Sequence, residues 1–261
     1  MEIHYNQKTI KDALQKIGVN KGDTIFSHSN VGFFGRPEGA FNERNIFNTI
    51  KNAIFEVIGD SGTLIVPTFT YSFCNNKLFD IENSKSNCGF FAEMVRKSPD
   101  SYRSCDPLIS VAAIGKLAKY FTQNAPENSY GDDSFFDRFF NSNGKICNFN
   151  FDAGSTFVHY VERKLKVPYR FDKTFNGEIK EGNKLKNKQA TIFVRHLKDG
   201  TEARFEAFDS LASDKKLYKK EKVGRGFIGC IESKAVMDLI SETISNNSLF
   251  LTKAGIKNSK V

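Results

Sequence analysis

The sequence predicts an α/β fold: a three-layer α/β/α core with a mixed, mainly parallel sheet and antiparallel additions in the C-terminal half. The first observation is a βαβ order, with strands at residues 23–29 and 62–70 on either side of an amphipathic helix at residues 43–58. Such a unit forms parallel strands with the helix packed on one face of the sheet. The second observation is that alternating apolar and polar segments, typical of antiparallel strands, replace this pattern after Pro168.

Periodicity and end signals define the individual elements. Ile46, Ile50 and Ile54 recur at helical spacing, and Gly59 ends that helix. Pro67 has no N–H, so it places its strand near a sheet edge or at a strand end. The other expected elements are helices at residues 9–18, 90–97 and 233–246, an amphipathic segment at 131–140, a helix around residue 159, a core strand at 145–151 and antiparallel strands at 191–196, 201–208 and 227–231.

Length and composition indicate one globular domain of residues 1–261, with a core at 1–167 and an elaborated half at 168–261. Hydrophobic residues make up 39% and charged residues 26%, which is ordinary for a globular chain. Five cysteines without CxxC spacing and only four histidines indicate neither a disulfide framework nor a metal site. We find no N-terminal signal pattern and no apolar run long enough for a membrane span, and therefore expect a cytoplasmic protein.

The positive charge is concentrated in one part of the chain. Residues 163–222 contain 17 Lys/Arg and nine Asp/Glu, an excess of eight that equals the net charge of the whole protein. Such a region is suited to nucleic acid, an anionic lipid surface or a phosphorylated small molecule. Lysines on solvated loops are the alternative interpretation.

His159 and Glu162 are the first candidate catalytic residues. They lie three positions apart in a segment of helical pattern, which places both on one face within side-chain reach. A carboxylate beside an imidazole orients a general base and stabilises its protonated form. A pair on a solvated helix face is the alternative. Upstream, the glycine-rich loop at residues 29–39 fits neither a P-loop nor GxGxxG, but its glycines allow a ligand to approach the backbone closely.

Four segments, in this order, resemble the aminoglycoside 3-N-acetyltransferase family, also called the antibiotic N-acetyltransferase family. They are DTIFSHSNVG, IGDSGTLIVPTFT, FFAEMVRKSPDSYRSCDPLISVAAIG and GDDSFFDRFFNSNGKICNFNFDAGSTFVHYVE. The third is similar to that family's Arg-Ser-x-His-Pro run, and the fourth ends in Thr-x-x-His-x-x-Glu. The resemblance covers roughly residues 5–175.

The resemblance implies an α/β/α fold and transfer of an acyl group from a coenzyme A thioester to a sugar amine. His159 matches the catalytic histidine and Glu162 its carboxylate. The residues that match the loop meeting the coenzyme and the acyl carbonyl are Ser29, Asn30, Val31 and Gly32. Those that match the segment lining its pantetheine and phosphate side are Arg103, Ser104 and Ser110. Acyl-CoA is then a co-substrate, and no permanently bound cofactor is expected.

Three residues are assigned to the substrate side: Asp106, Thr156 and Tyr71. Asp106 stands where the family commonly has histidine before proline, so it either orients the acceptor amine or serves the turn before Pro107. His28, at the end of a strand, is interpreted as a structural histidine and not as a second base.

The basic excess and Asp106 together favour an anionic acceptor, namely a dTDP-linked 3-amino sugar used for surface polysaccharide biosynthesis. This choice follows because aminoglycosides are polycations, whereas a diphosphate favours Arg and Lys. An aminoglycoside acceptor, and thus antibiotic resistance, is the alternative. A basic nucleic-acid-binding module is less favoured, because the lysines lack aromatic interleaving and any reading motif. No membrane partner is expected, and a homodimer is left open.

Overall fold

A computed structural model describes residues 2–39 and 42–258. The helices are α1 Gln7–Lys16, α2 Glu43–Ile58, α3 Phe90–Arg96, α4 Ala118–Thr122, α5 Phe135–Asn141, α6 Phe157–Lys164, α7 Glu206–Asp214, α8 Ser233–Asn246 and α9 Lys253–Asn258. The strands are β1 Thr24–Phe26, β2 Thr63–Pro67, β3 Phe79–Asp80, β4 Tyr102–Arg103, β5 Val111–Gly115, β6 Lys145–Phe149, β7 Arg170–Glu181, β8 Lys184–Arg195, β9 Lys219–Val223 and β10 Gly226–Glu232. Short 3₁₀ helices occupy Val31–Phe34 and Phe73–Asn75.

The main sheet has seven strands in the order β4-β5-β2-β1-β6-β10-β9. Strand β1 pairs in parallel with β2 and with β6, and all four outer pairings are antiparallel. The prediction of an α/β fold with a mixed sheet is confirmed. The sheet is not mainly parallel, however, because antiparallel strands flank the parallel centre on both sides. Strands β4 and β5 come from the N-terminal half, so the antiparallel additions are not confined to the C-terminal half.

Helices cover both faces of this sheet, as the three-layer prediction requires. Side chains alternate between the faces along a strand, so Ile25 joins the apolar cluster of α1 and α2, whereas its neighbour Phe26 joins the cluster of α5, α6 and α8. Phe26 packs edge-on against Phe135, with ring centroids 5.1 Å apart. The abundant phenylalanines thus fill the core on the side of α6.

A second sheet, in the order β3-β7-β8, joins two strands of the C-terminal half to β3 from the N-terminal half, and the sequence did not reveal it in full. Strands β7 and β8 form a long hairpin whose register runs from Arg170↔Arg195 to Glu181↔Lys184. The turn uses Gly182, whose φ of 56° lies in the left-handed region. Much of this hairpin is exposed on both faces, so the one-sided alternation that marks a strand is weak.

The predicted strand at residues 201–208 is wrong. Helix α7 begins at Glu206, and its buried residues, Phe208 and Ala212, are four positions apart, which is helical spacing. Within residues 2–39 and 42–258, no helix is both long and apolar enough to cross a membrane.

Candidate active site

Helix α6 carries the two residues that the sequence singled out, and the structure brings them together. His159 Nδ1 lies 2.6 Å from Glu162 Oε2. The side chain of Glu162 is fully buried, whereas 23% of the His159 side chain is exposed. Since a carboxylate accepts, Nδ1 carries the proton, which leaves Nε2 as the basic nitrogen. No residue in the described ranges hydrogen-bonds to that Nε2, so it is free to meet a substrate.

Two further residues hold the Glu162 carboxylate. Tyr169 Oη donates to Oε1 at 2.7 Å, and Arg170 Nε lies 2.7 Å from Oε2. The Arg170 N–H is not directed along its contact, so we treat this contact as an ion pair and not as a linear hydrogen bond. Burial acts to raise the pKa of Glu162, but His159, Arg170 and Tyr169 outweigh it, and the pKa lies below its ordinary value. Glu162 is therefore an anion at neutral pH.

Tyr169 and Arg170 were missed by the sequence reasoning. They follow the helix directly, in the stretch VPYR, and Arg170 is the first residue of β7. A buried carboxylate needs a cation near it. An arginine close after the helix was therefore the signal that could have identified them.

A second histidine, which follows strand β1 in the chain, contacts the residue just before α6. His28 Nε2 is 2.8 Å from the hydroxyl of Thr156, the residue that precedes α6. Burial lowers the pKa of His28 to about 4, against the opposing effect of Asn148. His28 is thus neutral near pH 7, which agrees with its interpretation as a structural histidine. Thr156 is engaged with His28 in this arrangement.

A cavity of about 690 Å³ opens beside His28. All four residues of the predicted coenzyme loop line it: Ser29, Asn30, Val31 and Gly32. Its walls are largely apolar and also include Pro67, Phe69 and Phe91. A Cβ added at Gly32 would have no atom within 4 Å, so the backbone faces open space. Among the described residues, none accepts a hydrogen bond from the backbone N–H of Val31 or of Gly32.

The other predicted coenzyme residues do not line this cavity. Arg103 donates to the carbonyl oxygen of Thr68 at 2.6 Å and to two further carbonyl oxygens. Ser110 Oγ donates to that same Thr68 oxygen, and Ser104 Oγ accepts from the N–H of Val111. Burial lowers the pKa of Arg103 to about 10. These side chains brace the loop after β2, and the geometry gives their predicted role at the pantetheine and phosphate no support.

Two of the predicted substrate residues are also placed by the structure. Asp106 Oδ1 accepts from the N–H groups of Leu108 and Ile109, at 2.9 and 3.1 Å. Burial raises the pKa of Asp106, although these bonds oppose the rise. The contacts correspond to the turn role that the sequence left open. Tyr71 is 56% exposed and has a positive φ of 56°, outside the cavity lining.

A base held by a buried carboxylate can deprotonate an amine, and a loop with free N–H groups in a cavity wall can stabilise an oxyanion. The chain belongs to the aminoglycoside 3-N-acetyltransferase family, whose sequence model matches residues 28–245. This membership confirms the resemblance found in the sequence.

Individual relatives agree with the family assignment. Aminoglycoside N(3)-acetyltransferase III from a Salmonella species is 26% identical over 184 residues, which span 63% of this chain and 62% of that relative. The chain thus covers less than two thirds of that relative's length. Among solved structures, AAC-VIa bound to sisomicin superposes with a TM-score of 0.79 at 19% identity, covering 93% of this chain and 98% of that one. AAC-IIIb in binary complex with CoASH superposes with a TM-score of 0.77 at 18% identity, covering 92% and 97%.

The predicted nucleotide-linked amino-sugar acceptor is contradicted by these comparisons. The family model and the curated relatives are all aminoglycoside acetyltransferases. Net charge describes the whole surface and not one site, so the basic excess does not identify the acceptor. Many cations of the basic segment are used in ion pairs, namely Arg163 with Asp172, Lys164 with Asp132 and Asp137, Lys180 with Asp80, Lys186 with Glu181, Lys215 with Glu242 and Lys220 with Asp152.

Proposed function

We propose that this protein is an acyl-CoA-dependent N-acetyltransferase that modifies an amine of an aminoglycoside. The observation that carries the proposal is the His159–Glu162 pair, with a free imidazole Nε2. The pair lies on the helix whose preceding residue, Thr156, contacts His28 in the wall of the cavity that the predicted coenzyme loop lines. Family membership supports the reaction class, and the curated relatives support the acceptor. Because acyl-CoA is an intracellular metabolite, the proposal also implies a cytoplasmic reaction.

In the proposed mechanism, His159 is the general base. An ammonium group cannot attack a thioester, so Nε2 takes a proton from the acceptor amine while the Glu162 anion stabilises the resulting imidazolium. The amine nitrogen attacks the thioester carbonyl carbon, and the N–H groups of Val31 and Gly32 stabilise the tetrahedral oxyanion. The C–S bond then breaks and the new C–N bond remains. The second proton of the attacking nitrogen passes to the departing thiolate, so the products are an amide and coenzyme A as the thiol. No protein nucleophile takes part.

Carboxylates in the segment that contacts His159 through Phe205 support a cationic acceptor. The ring of Phe205 lies 5.8 Å from the His159 ring, and the helix that follows it carries Glu206 and Asp209 in its first turn. Asp209 Oδ1 accepts from the N–H of Gly154 at 2.7 Å, which holds it against the loop before α6. Burial raises the pKa of Asp209 to about 6, so it is still largely an anion above neutral pH. An amine-rich ligand would meet negative charge here, although the whole chain is basic.

Thiol release from acetyl-CoA, measured with gentamicin, kanamycin and sisomicin as acceptors, tests this function. We expect acceptor-dependent release of coenzyme A and a product whose mass increases by one acetyl group. Release that is the same with and without every acceptor would refute the proposal. Sedimentation of the same preparation would test the homodimer, which stays a prediction.

A further inference from the structure

We infer that Arg170 and Tyr169 are positioning residues for the transfer reaction, because they hold the Glu162 carboxylate in the ionised state and orientation that His159 requires. The inference deepens the proposed function and depends on it for its catalytic consequence. The effect of Arg170 and Tyr169 on the ionisation of the Glu162 carboxylate can also be measured without any substrate.

The three contacts leave Glu162 little freedom. His159 Nδ1 and Arg170 Nε both approach Oε2, at 2.6 and 2.7 Å, and Tyr169 Oη approaches Oε1 at 2.7 Å. The Arg170 side chain is only 7% exposed and that of Glu162 is fully buried. Water therefore screens this pair weakly, and the charge of Arg170 acts strongly on the carboxylate.

Arg170 and Tyr169 also connect the pair to the long hairpin. Arg170 Nη1 donates to the carbonyl oxygen of Phe193, and the N–H of His196 donates to the carbonyl oxygen of Tyr169. Both contacts lie where β7 and β8 meet the core, since Arg170 and Arg195 are the first pair of the hairpin register. The base of the hairpin thus fixes the two residues that fix Glu162.

The groups around Glu162 determine how the ionisation of its carboxylate depends on pH. Glu162 is surrounded by His159 on its own helix, by Tyr169 and Arg170 at the base of β7, and by Tyr130 from the loop before α5. His28, beyond Thr156, is neutral near pH 7 and contributes no charge. Among the described residues, Arg170 is the permanent cation in direct contact with Glu162, and its removal should make Glu162 easier to protonate.

The test compares R170M, R170K and Y169F with wild type. Carboxyl ¹³C NMR, assigned with E162Q, follows the titration of Glu162 in the free protein, and kcat/KM is measured against pH in parallel. We expect the Glu162 titration to move up by about one pH unit in R170M and by less in Y169F, and to stay near wild type in R170K. The acid limb of kcat/KM should move in the same direction in R170M. We expect kcat to fall about tenfold to a hundredfold, with KM for acetyl-CoA little changed.

Matched controls separate positioning from a general loss of packing. R138M removes a buried arginine that pairs with Asp133. Y160F removes the hydroxyl of a tyrosine on α6 that donates to Asp137 and not to Glu162. Neither should move the Glu162 titration. If R170M does not fold, Y169F carries the test.

A Glu162 titration that stays at the wild-type pH in R170M and Y169F would overturn the inference. So would an acid limb of kcat/KM that stays in place in an active R170M. If wild type acetylates no aminoglycoside, the proposed function fails, but the NMR titration still decides whether Arg170 and Tyr169 control Glu162.

Discussion

Replacement of Glu162 by Gln keeps the size of the side chain and removes its charge, so it isolates what the carboxylate does. In the wild type, the anion is fully buried and the Arg170 side chain paired with it is 7% exposed. In E162Q the guanidinium stays buried without its carboxylate. Removal of one partner of a buried ion pair costs about 3–5 kcal/mol of unfolding free energy. For a chain of this length, such a loss lowers Tm by roughly 6–10 °C, at about 2 °C per kcal/mol.

The same substitution should slow the reaction. A neutral amide can still accept the hydrogen bond from His159 Nδ1, but it does not stabilise the imidazolium that forms when Nε2 takes the proton. We expect kcat for acetyl transfer to fall by about 10²–10⁴-fold, because general-base catalysis contributes on that scale. Thermal unfolding by circular dichroism and thiol release with saturating acetyl-CoA measure the two effects on one preparation.

A double-mutant cycle shows whether the two losses have the origin that the structure indicates. If Arg170 is destabilising only because its partner is gone, E162Q/R170M should be more stable than the two single variants predict, with a coupling of about 1–3 kcal/mol. Additive stabilities, or an E162Q variant with wild-type Tm and kcat, would show that the buried charge of Glu162 has neither expected effect.

Three further predictions concern the residues around this pair. Burial lowers the pKa of His28 from 6.5 to about 4, so the unfolded chain takes up a proton that the folded protein excludes. The free energy of unfolding should therefore decrease by about 3 kcal/mol as the pH falls from above 6.5 to 4. Urea titrations at several pH values should show this decrease in the wild type and a smaller one in H28Q. Gly32 has open space at its Cβ position, so G32A should leave the free energy of unfolding within about 0.5 kcal/mol of wild type. The added methyl group should raise the Kd for coenzyme A measured by calorimetry. An unchanged Kd would exclude this loop from the coenzyme site. Asp106 accepts hydrogen bonds from two backbone N–H groups. D106A should therefore lose about 1–2 kcal/mol of unfolding free energy, while kcat/KM stays within about threefold of wild type. A loss of activity without a loss of stability would support a role of Asp106 in binding the acceptor.

The parts of the fold that could be predicted are those with strong local signals. Helices α2 and α8 begin and end at the residues that periodicity indicated, Glu43–Ile58 and Ser233–Asn246. The His159–Glu162 contact followed from a spacing of three on one helix. In these cases the information lies within a few neighbouring residues.

The parts that could not be predicted depend on contacts between distant segments. The pairing direction of β5 and β4 is not encoded in their own short sequences, and the hairpin β7–β8 is too exposed to show clear alternation. Arg103 is a polar residue in a motif, which suggested a ligand, but its N–H groups are used by carbonyl and hydroxyl oxygens around Thr68. Summed charge misled for the same reason, because ion pairing is a property of the folded chain.

The proposed role of His159 is best examined by acetyl transfer to an aminoglycoside in wild type and in H159Q, with coenzyme A binding measured in both. We predict aminoglycoside-dependent thiol release by the wild type, a decrease of about 10²–10⁴-fold in kcat in H159Q, and similar coenzyme A affinity in the two proteins. Near-normal kcat in a folded H159Q, or no aminoglycoside-dependent release by the wild type, would contradict the account.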